Sequence, residues 1–322
     1  MGSNSSNLKI PFSGKLPEEY EDKSYSRLKD KIKEYSYKID KTSLPIFKEK
    51  IKNNDFNEEF KLLKNEVDFQ NLKNNRRVEK SDKDRYGDIL PFKDNLVPLK
   101  EVNYINASFI NIPDKKNFIA TQGPLDHTVS DFWEMIYEYN VNIIVMLCNI
   151  KEDKKIKCSE YWNKNVMEKD NKFKLENISQ LETNYKDLII RKIQYKKIGD
   201  HSIKEVYHLN YIGWQDNAIP NIKDAFDILV QMFNFINKEK SNTTVIHCSA
   251  GVGRTGSFLT MINLYNNLLL QKNQRNKYFG LSIFGLVRQL KEMRVFLVKN
   301  ETEFNFIHKF IYELLEREIF KE

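Results

Sequence analysis

Apolar and polar positions alternate along this chain with two different periods, and the changes of period mark its elements. Between Leu44 and Leu63 the apolar residues Ile46, Phe47, Ile51, Phe56, Phe60 and Leu63 follow helical spacing, and the Asn53-Asn54 pair splits the run into two helices. Asn117 to Thr121 and Ile143 to Cys148 read as strands, with a helix from His127 to Tyr139 between them. Phe173 to Leu175, Lys186 to Gln194 and Ser202 to Tyr211 read as a meander, turned at Thr183-Asn184 and Gly199-Asp200. A helix is expected from Ala225 to Ile236, and then a short buried strand from Thr243 to His247. Helices from Ser257 to Leu270, Ser282 to Met293 and Glu301 to Phe320 complete the chain. Long strands mixed with helices predict an α/β (α+β) domain, a central twisted mixed β-sheet flanked by helices, over residues 44–322. Residues 1–43 carry few large apolar side chains and read as a polar tail.

Composition narrows this picture by exclusion. The 322 residues include 40% apolar and 12% aromatic side chains, which argues against a wholly disordered chain. No stretch reaches the ~18 apolar residues of a membrane helix, and the N-terminus lacks the apolar core of a secretory signal. Three cysteines, Cys148, Cys158 and Cys248, make no disulfide framework and point to a reducing, cytoplasmic setting. The net charge of +7 is spread along the chain among acidic residues, so it is read as a solvated surface rather than a nucleic-acid patch. The opening Met-Gly-Ser-Asn-Ser-Ser fits the myristoylation pattern at Gly2, although Met-Gly-Ser is equally common at cloning junctions. One such chain gives only weak, reversible membrane association.

The chemistry concentrates between Val245 and Phe258, in Val-Ile-His-Cys-Ser-Ala-Gly-Val-Gly-Arg-Thr-Gly-Ser-Phe. A β-branched run enters a loop of small residues and leaves into a helix. Small residues let successive backbone N–H groups, from Ser249 through Ala250, Gly251 and Val252 to Gly253, converge on one anion. The helix N-terminus behind them adds positive potential. Such a field favours the thiolate form of a cysteine at Cys248, and Arg254 offers a planar fork for two phosphoryl oxygens. No second Cys or His stands at metal-ligand spacing, so no metal and no cofactor is expected.

This run resembles the signature of the tyrosine-specific protein phosphatases. The likeness extends over about residues 44–320, through Lys83-Asp84-Arg85-Tyr86-Gly87-Asp88, Asn103 to Ser108, Ala120 to Pro124, Asp131-Phe132-Trp133 and Lys157 to Trp162. It is greatest to receptor-type catalytic domains, and it implies the cysteine-based phosphatase fold. The resemblance implies Cys248 as nucleophile, Arg254 and the Ser249–Gly253 amides as phosphoryl ligands, and Asp216, after Trp214 and Gln215, as general acid on a lid. It implies Tyr86 as the wall of a deep phosphotyrosine pocket and Asp88 as acceptor for peptide backbone. Thr255 would donate to the thiolate, His247 would act on the sulfur through the backbone, Glu152 would orient Arg254, and Lys157 would support the closed lid. Phosphotyrosine-containing proteins are then the partners.

Three departures from the family pattern bear on function. Gln215 replaces the lid proline, Lys299 stands where a late-loop glutamine positions the attacking water, with Glu303 at a second glutamine position, and Gly87 replaces a polar rim residue. A protonated lysine donates but cannot accept from water. The expected function is hydrolysis of phosphotyrosine through a phosphocysteine. The alternative is a catalytically attenuated relative that captures phosphotyrosine proteins.

Overall fold

The computed structural model describes residues 31–54, 56–68, 76–112, 117–216, 218–239 and 243–321. The strands, in chain order, are β1 (Tyr37–Ile39), β2 (Ala107–Ile110), β3 (Asn117–Thr121), β4 (Ile143–Met146), β5 (Lys151–Glu152), β6 (Lys155–Ile156), β7 (Phe173–Leu181), β8 (Leu188–Lys197), β9 (Lys204–Tyr211), β10 (Thr243–His247) and β11 (Phe279–Leu281). The α-helices are α1 (Leu44–Lys52), α2 (Asn57–Leu62), α3 (Val129–Glu138), α4 (Lys164–Met167), α5 (Ile222–Lys238), α6 (Gly253–Asn273), α7 (Ile283–Met293) and α8 (Glu301–Leu314). Seven strands form one mixed sheet in the order β2-β3-β10-β4-β9-β8-β7. Its centre, β3-β10-β4-β9, is parallel, and its flanks are antiparallel.

Burial explains the centre. Every residue of β4 and of β10 is buried, as expected for parallel strands covered on both faces. α3 buries Val129, Phe132, Trp133 and Ile136 along one stripe. α6 is buried around most of its first eleven residues, because it runs through the core and packs against α8 and α7.

The register fixes where the site lies. His247 at the end of β10 pairs with Thr121 at the end of β3 and Met146 at the end of β4, and Met146 pairs with Asn210 near the end of β9. The loops after these parallel strands therefore leave the sheet side by side, at the edge where α/β sheets hold ligands.

Several expected boundaries move. α6 begins at Gly253 rather than Ser257, since its glycines serve close packing rather than disfavouring the helix: a Cβ on Gly256 would stand 2.3 Å from the Val298 nitrogen. Packing also reaches back into the segment expected as tail. β1 pairs antiparallel with β11, and Ile39 is buried in the core. The Gly2 motif lies outside the described residues.

Candidate active site

The loop from Cys248 to Val252 joins β10 to α6, and its shape depends on glycine. Gly251 has φ +71°, and a Cβ there would lie 2.1 Å from the Thr121 carbonyl oxygen, so only hydrogen fits between the loop and β3. Arg294 holds the loop from behind. Its guanidinium is fully buried and donates to the carbonyls of Gly251 (2.9 Å) and Ala250 (3.2 Å), to Asn106 Oδ1 (2.8 Å) and to Ser108 Oγ (3.1 Å). Burial lowers its pKa to about 10, which still leaves it charged at neutral pH. With the carbonyls of Ala250 and Gly251 engaged by Arg294, the trans peptides turn the Gly251 and Val252 N–H groups the other way, as an anion cradle requires.

Cys248 opens this loop and is buried, 3% exposed. Ser249, Val252 and Gly253 are buried, and Ala250 is half-buried. Arg254, in the first turn of α6, is 4% exposed and locked by a two-pronged bond to Glu152: Nη1 to Oε1 at 2.8 Å and Nη2 to Oε2 at 3.0 Å. The β5–β6 hairpin presents that carboxylate, and Asn149 N–H donates to its Oε1 at 2.9 Å. Burial works against the arginine's charge, but the Glu152 bonds and the field of Cys248 outweigh it and raise its pKa above the ordinary value.

The lid is docked on the same arginine. Arg254 Nη1 donates to the Trp214 carbonyl (2.7 Å), and Nη2 lies 3.3 Å from Asp216 Oδ1. Trp214 is fully buried against Phe306, and its indole N–H closes the loop by donating to the Ala218 carbonyl at 3.1 Å. Lys157 Nζ donates to the other Asp216 oxygen. Burial opposes the Lys157 charge, and the Asp216 carboxylate more than offsets it, so the lysine's pKa is raised. Gln215 is exposed between these anchors.

Tyr86 reaches the loop through Ser249. Its hydroxyl lies 2.9 Å from Ser249 Oγ, which itself donates to the Lys157 carbonyl at 2.9 Å. Its ring packs on a small apolar cluster that includes Ile89, Phe92, Val252 and Val295. The loop carrying Tyr86 is pinned by Arg85, which donates to the Gly123 and Pro124 carbonyls at 2.9 and 2.7 Å. Asp84 Oδ1 accepts from Asn106 Nδ2 at 2.8 Å. Asp88 is exposed two residues beyond Tyr86. His247 is fully buried, with Nδ1 3.0 Å from the Cys248 carbonyl oxygen and Nε2 2.8 Å from the Tyr161 hydroxyl.

One expected contact is not formed. The Thr255 hydroxyl, expected to donate to the Cys248 sulfur, is buried in the first turn of α6 without a hydrogen-bond partner. The Lys299 side chain is exposed to solvent, and its backbone N–H donates to Glu303 Oε2 at 2.7 Å. Glu303 instead lies against the cradle: a Cβ on Gly253 would stand 2.2 Å from its Oε1. Burial raises the Glu303 pKa against the pull of the Lys299 and Asn300 amides. Arg294 and Gln122, whose amide bridges the Arg85 N–H and the Lys83 carbonyl, were not among the expected site residues. Arg294 stands in a segment that already carries Arg288, Lys291 and Glu292, so its charge gave no distinguishing signal in the sequence.

Comparison with known proteins matches this architecture. A family model described as protein-tyrosine phosphatase fits residues 80–313. Tyrosine-protein phosphatase non-receptor type 20 of Rattus norvegicus is 33% identical over 268 residues, covering 80% of this chain and 60% of that protein. Receptor-type tyrosine-protein phosphatase C of the same organism is 31% identical over 252 residues, covering 75% of this chain and 19% of that protein. This chain thus spans less than two thirds of the length of the curated relatives compared. A solved structure described as "Structural basis of PTPN18 fingerprint on distinct HER2 tyrosine phosphorylation sites" superposes with a TM-score of 0.69 at 25% identity, covering 84% of this chain and 99% of that one. With the family model spanning the cradle, the lid and the Tyr86 loop alike, the chain belongs to the protein-tyrosine phosphatase family.

Proposed function

We propose that this chain hydrolyses phosphotyrosine in proteins through a phosphocysteine intermediate. One observation carries the reading: Arg254, bonded to Glu152 and within the electrostatic reach of Cys248, also contacts Asp216, which supports nucleophile, phosphoryl ligand and proton donor acting on one phosphoryl group. In the first step the Cys248 sulfur attacks phosphorus as the bond to the phenolic oxygen breaks. The electron pair goes to that oxygen, which takes the Asp216 proton. In the second step a water oxygen attacks phosphorus, Asp216 takes the water proton, and the P–S pair returns to sulfur. The Ser249–Gly253 amides and Arg254 hold the equatorial oxygens in both steps.

The resting contacts of Asp216 fit this cycle. Its two oxygens meet Lys157 and Arg254, one each, so the proposed acid lies beside the proposed phosphoryl ligand. Tyr86, packed between the apolar cluster and Ser249, sets the depth that selects a phenolic ester over shorter aliphatic ones.

The test is leaving-group dependence. Asp216→Ala is expected to slow hydrolysis of a phosphotyrosine peptide about a hundredfold and of an activated aryl phosphate far less. Equal losses on both substrates would remove Asp216 from the acid role. Nucleophile, arginine and acid stand together, which favours turnover over the substrate-capturing alternative.

The substrates are phosphotyrosine proteins of the cytoplasm, in keeping with three unpaired cysteines among the described residues. Weak membrane association through a myristoylated Gly2 is part of the same proposal. Mass spectrometry of the N-terminal peptide from cells checks it, with the acylated mass expected and an unmodified Gly2 contradicting it.

A further inference from the structure

A file of hydrogen-bonded polar side chains, buried but for the half-buried Arg191, leads away from the Cys248 carbonyl. Arg191 on β8 and His208 on β9 are directly paired across the sheet, with Arg191 Nη1 3.2 Å from His208 Nδ1. His208 Nε2 lies 2.9 Å from the Tyr161 hydroxyl, which is 2.8 Å from His247 Nε2. His247 Nδ1 is 3.0 Å from the Cys248 carbonyl oxygen. His208, Tyr161 and His247 are all fully buried, so water does not complete their bonding. Arg191 is held in place over the Trp162 ring at 4.9 Å.

With His247 as a single-proton ring, donor and acceptor arithmetic gives the file one direction. A guanidinium only donates, so His208 Nδ1 accepts. Burial, and next the Arg191 charge, hold the His208 imidazole neutral, so its one proton is on Nε2 and points to the Tyr161 oxygen. The tyrosine hydroxyl is left to donate to His247 Nε2. His247 then carries its proton on Nδ1 and donates to the Cys248 carbonyl, the one orientation a carbonyl oxygen can use. Both ends of the file, a pure donor and a pure acceptor, demand the same direction.

We propose that Arg191 is a positioning residue for catalysis: through His208, Tyr161 and His247 it fixes the hydrogen bond on the Cys248 carbonyl, and with it the Cys248–Ser249 peptide at the start of the cradle. A bond accepted by that oxygen polarises the peptide group and strengthens the Ser249 N–H as a donor to the anion. The inference rests on the phosphatase reading of the site. Its test separates the two.

Nitrogen NMR of the full chain with labelled histidine reads the protons directly. His208 is expected as the Nε2–H tautomer and His247 as the Nδ1–H tautomer, and the opposite form in either ring overturns the file whether or not the chain is a phosphatase. Arg191→Met frees His208 to take its proton on Nδ1 and the Tyr161 proton to turn toward it. The expected outcome is a changed His208 tautomer and a kcat lower by about threefold at unchanged KM, the scale of one neutral hydrogen bond. An unchanged tautomer or an unchanged kcat overturns the role. His208→Gln can accept from Arg191 and donate to Tyr161, whereas His208→Met can do neither, so this pair decides the matter if Arg191→Met does not fold. Retained kcat in His208→Gln and a loss in His208→Met support the relay, and equal kcat in the two overturns it. A wild type with the expected tautomers but no turnover defeats the phosphatase reading instead.

Discussion

Glu152 and Arg254 form a buried pair whose stability and proposed chemistry depend on the same bonds. Each satisfies the other through two bonds at 2.8 and 3.0 Å, and their side chains are 6% and 5% exposed. Removing one partner leaves an uncompensated buried charge, which typically costs about 3–5 kcal/mol. Glu152→Ala is therefore expected to lower both the melting temperature and kcat by large amounts, checked by thermal unfolding and steady-state rates. A normal kcat would show that Arg254 needs no orienting partner. Thr255 offers the opposite trade. Its hydroxyl is buried without a partner, so Thr255→Val is expected to stabilise the fold by about 1 kcal/mol. If the hydroxyl serves the sulfur once phosphorus is bound, the same substitution lowers kcat. A lower melting temperature in the valine variant would mean that the hydroxyl has a partner in solution.

At the scale of elements, the cradle is set by close approach more than by propensity. Gly251→Ala places a methyl group 2.1 Å from the Thr121 carbonyl oxygen on a backbone at φ +71°. The loop must leave β3, and activity should be lost together with about 2–4 kcal/mol of stability, read by denaturant unfolding. Wild-type-like stability would show that the loop relaxes without cost. Much of this element level was legible in advance. β3 and β10 fall where periodicity puts them, and the break between α1 and α2 lies at Asn53-Asn54, where Asn54 turns at φ 48°. β7 runs on to Leu181, six residues beyond its expected end, because an edge strand with mostly exposed side chains is defined by its ladder to β8 and not by a burial pattern. β1, β2 and the β5–β6 hairpin were not expected. Each is short, and its partner strand, not its own alternation, makes it a strand. The site shows the same limit. Arg254 and Cys248 lie in one contiguous run and were readable, whereas the grip of Arg294 on Asn106 joins residues 188 apart in sequence and depends on the finished fold.

The whole molecule carries an acid liability in its core, far from the cradle in sequence. His308 stacks on Phe56 at 3.6 Å, donates through Nδ1 to the Phe304 carbonyl, and has its Nε2 buried without a partner. Burial lowers its pKa from 6.5 to about 3. A depressed folded-state pKa means the unfolded chain binds the proton first, so stability is full above pH 6.5 and falls as pH drops toward the folded value. Between pH 7 and pH 5 the loss is about 2 kcal/mol from this residue. His308→Phe is expected to flatten the dependence of melting temperature on pH over that interval, and an unchanged slope would place the liability elsewhere. The central claim, a two-step cysteine phosphatase, is tested most directly by a rapid-mix time course with a phosphotyrosine peptide and a chromogenic aryl phosphate, run on the wild type and on Cys248→Ser. Sustained release of product by the wild type, beyond one equivalent and absent from the serine variant, is the expected result. A single stoichiometric burst followed by near silence would contradict turnover and leave a phosphotyrosine trap, and equal rates in the two proteins would contradict the assignment of Cys248 itself.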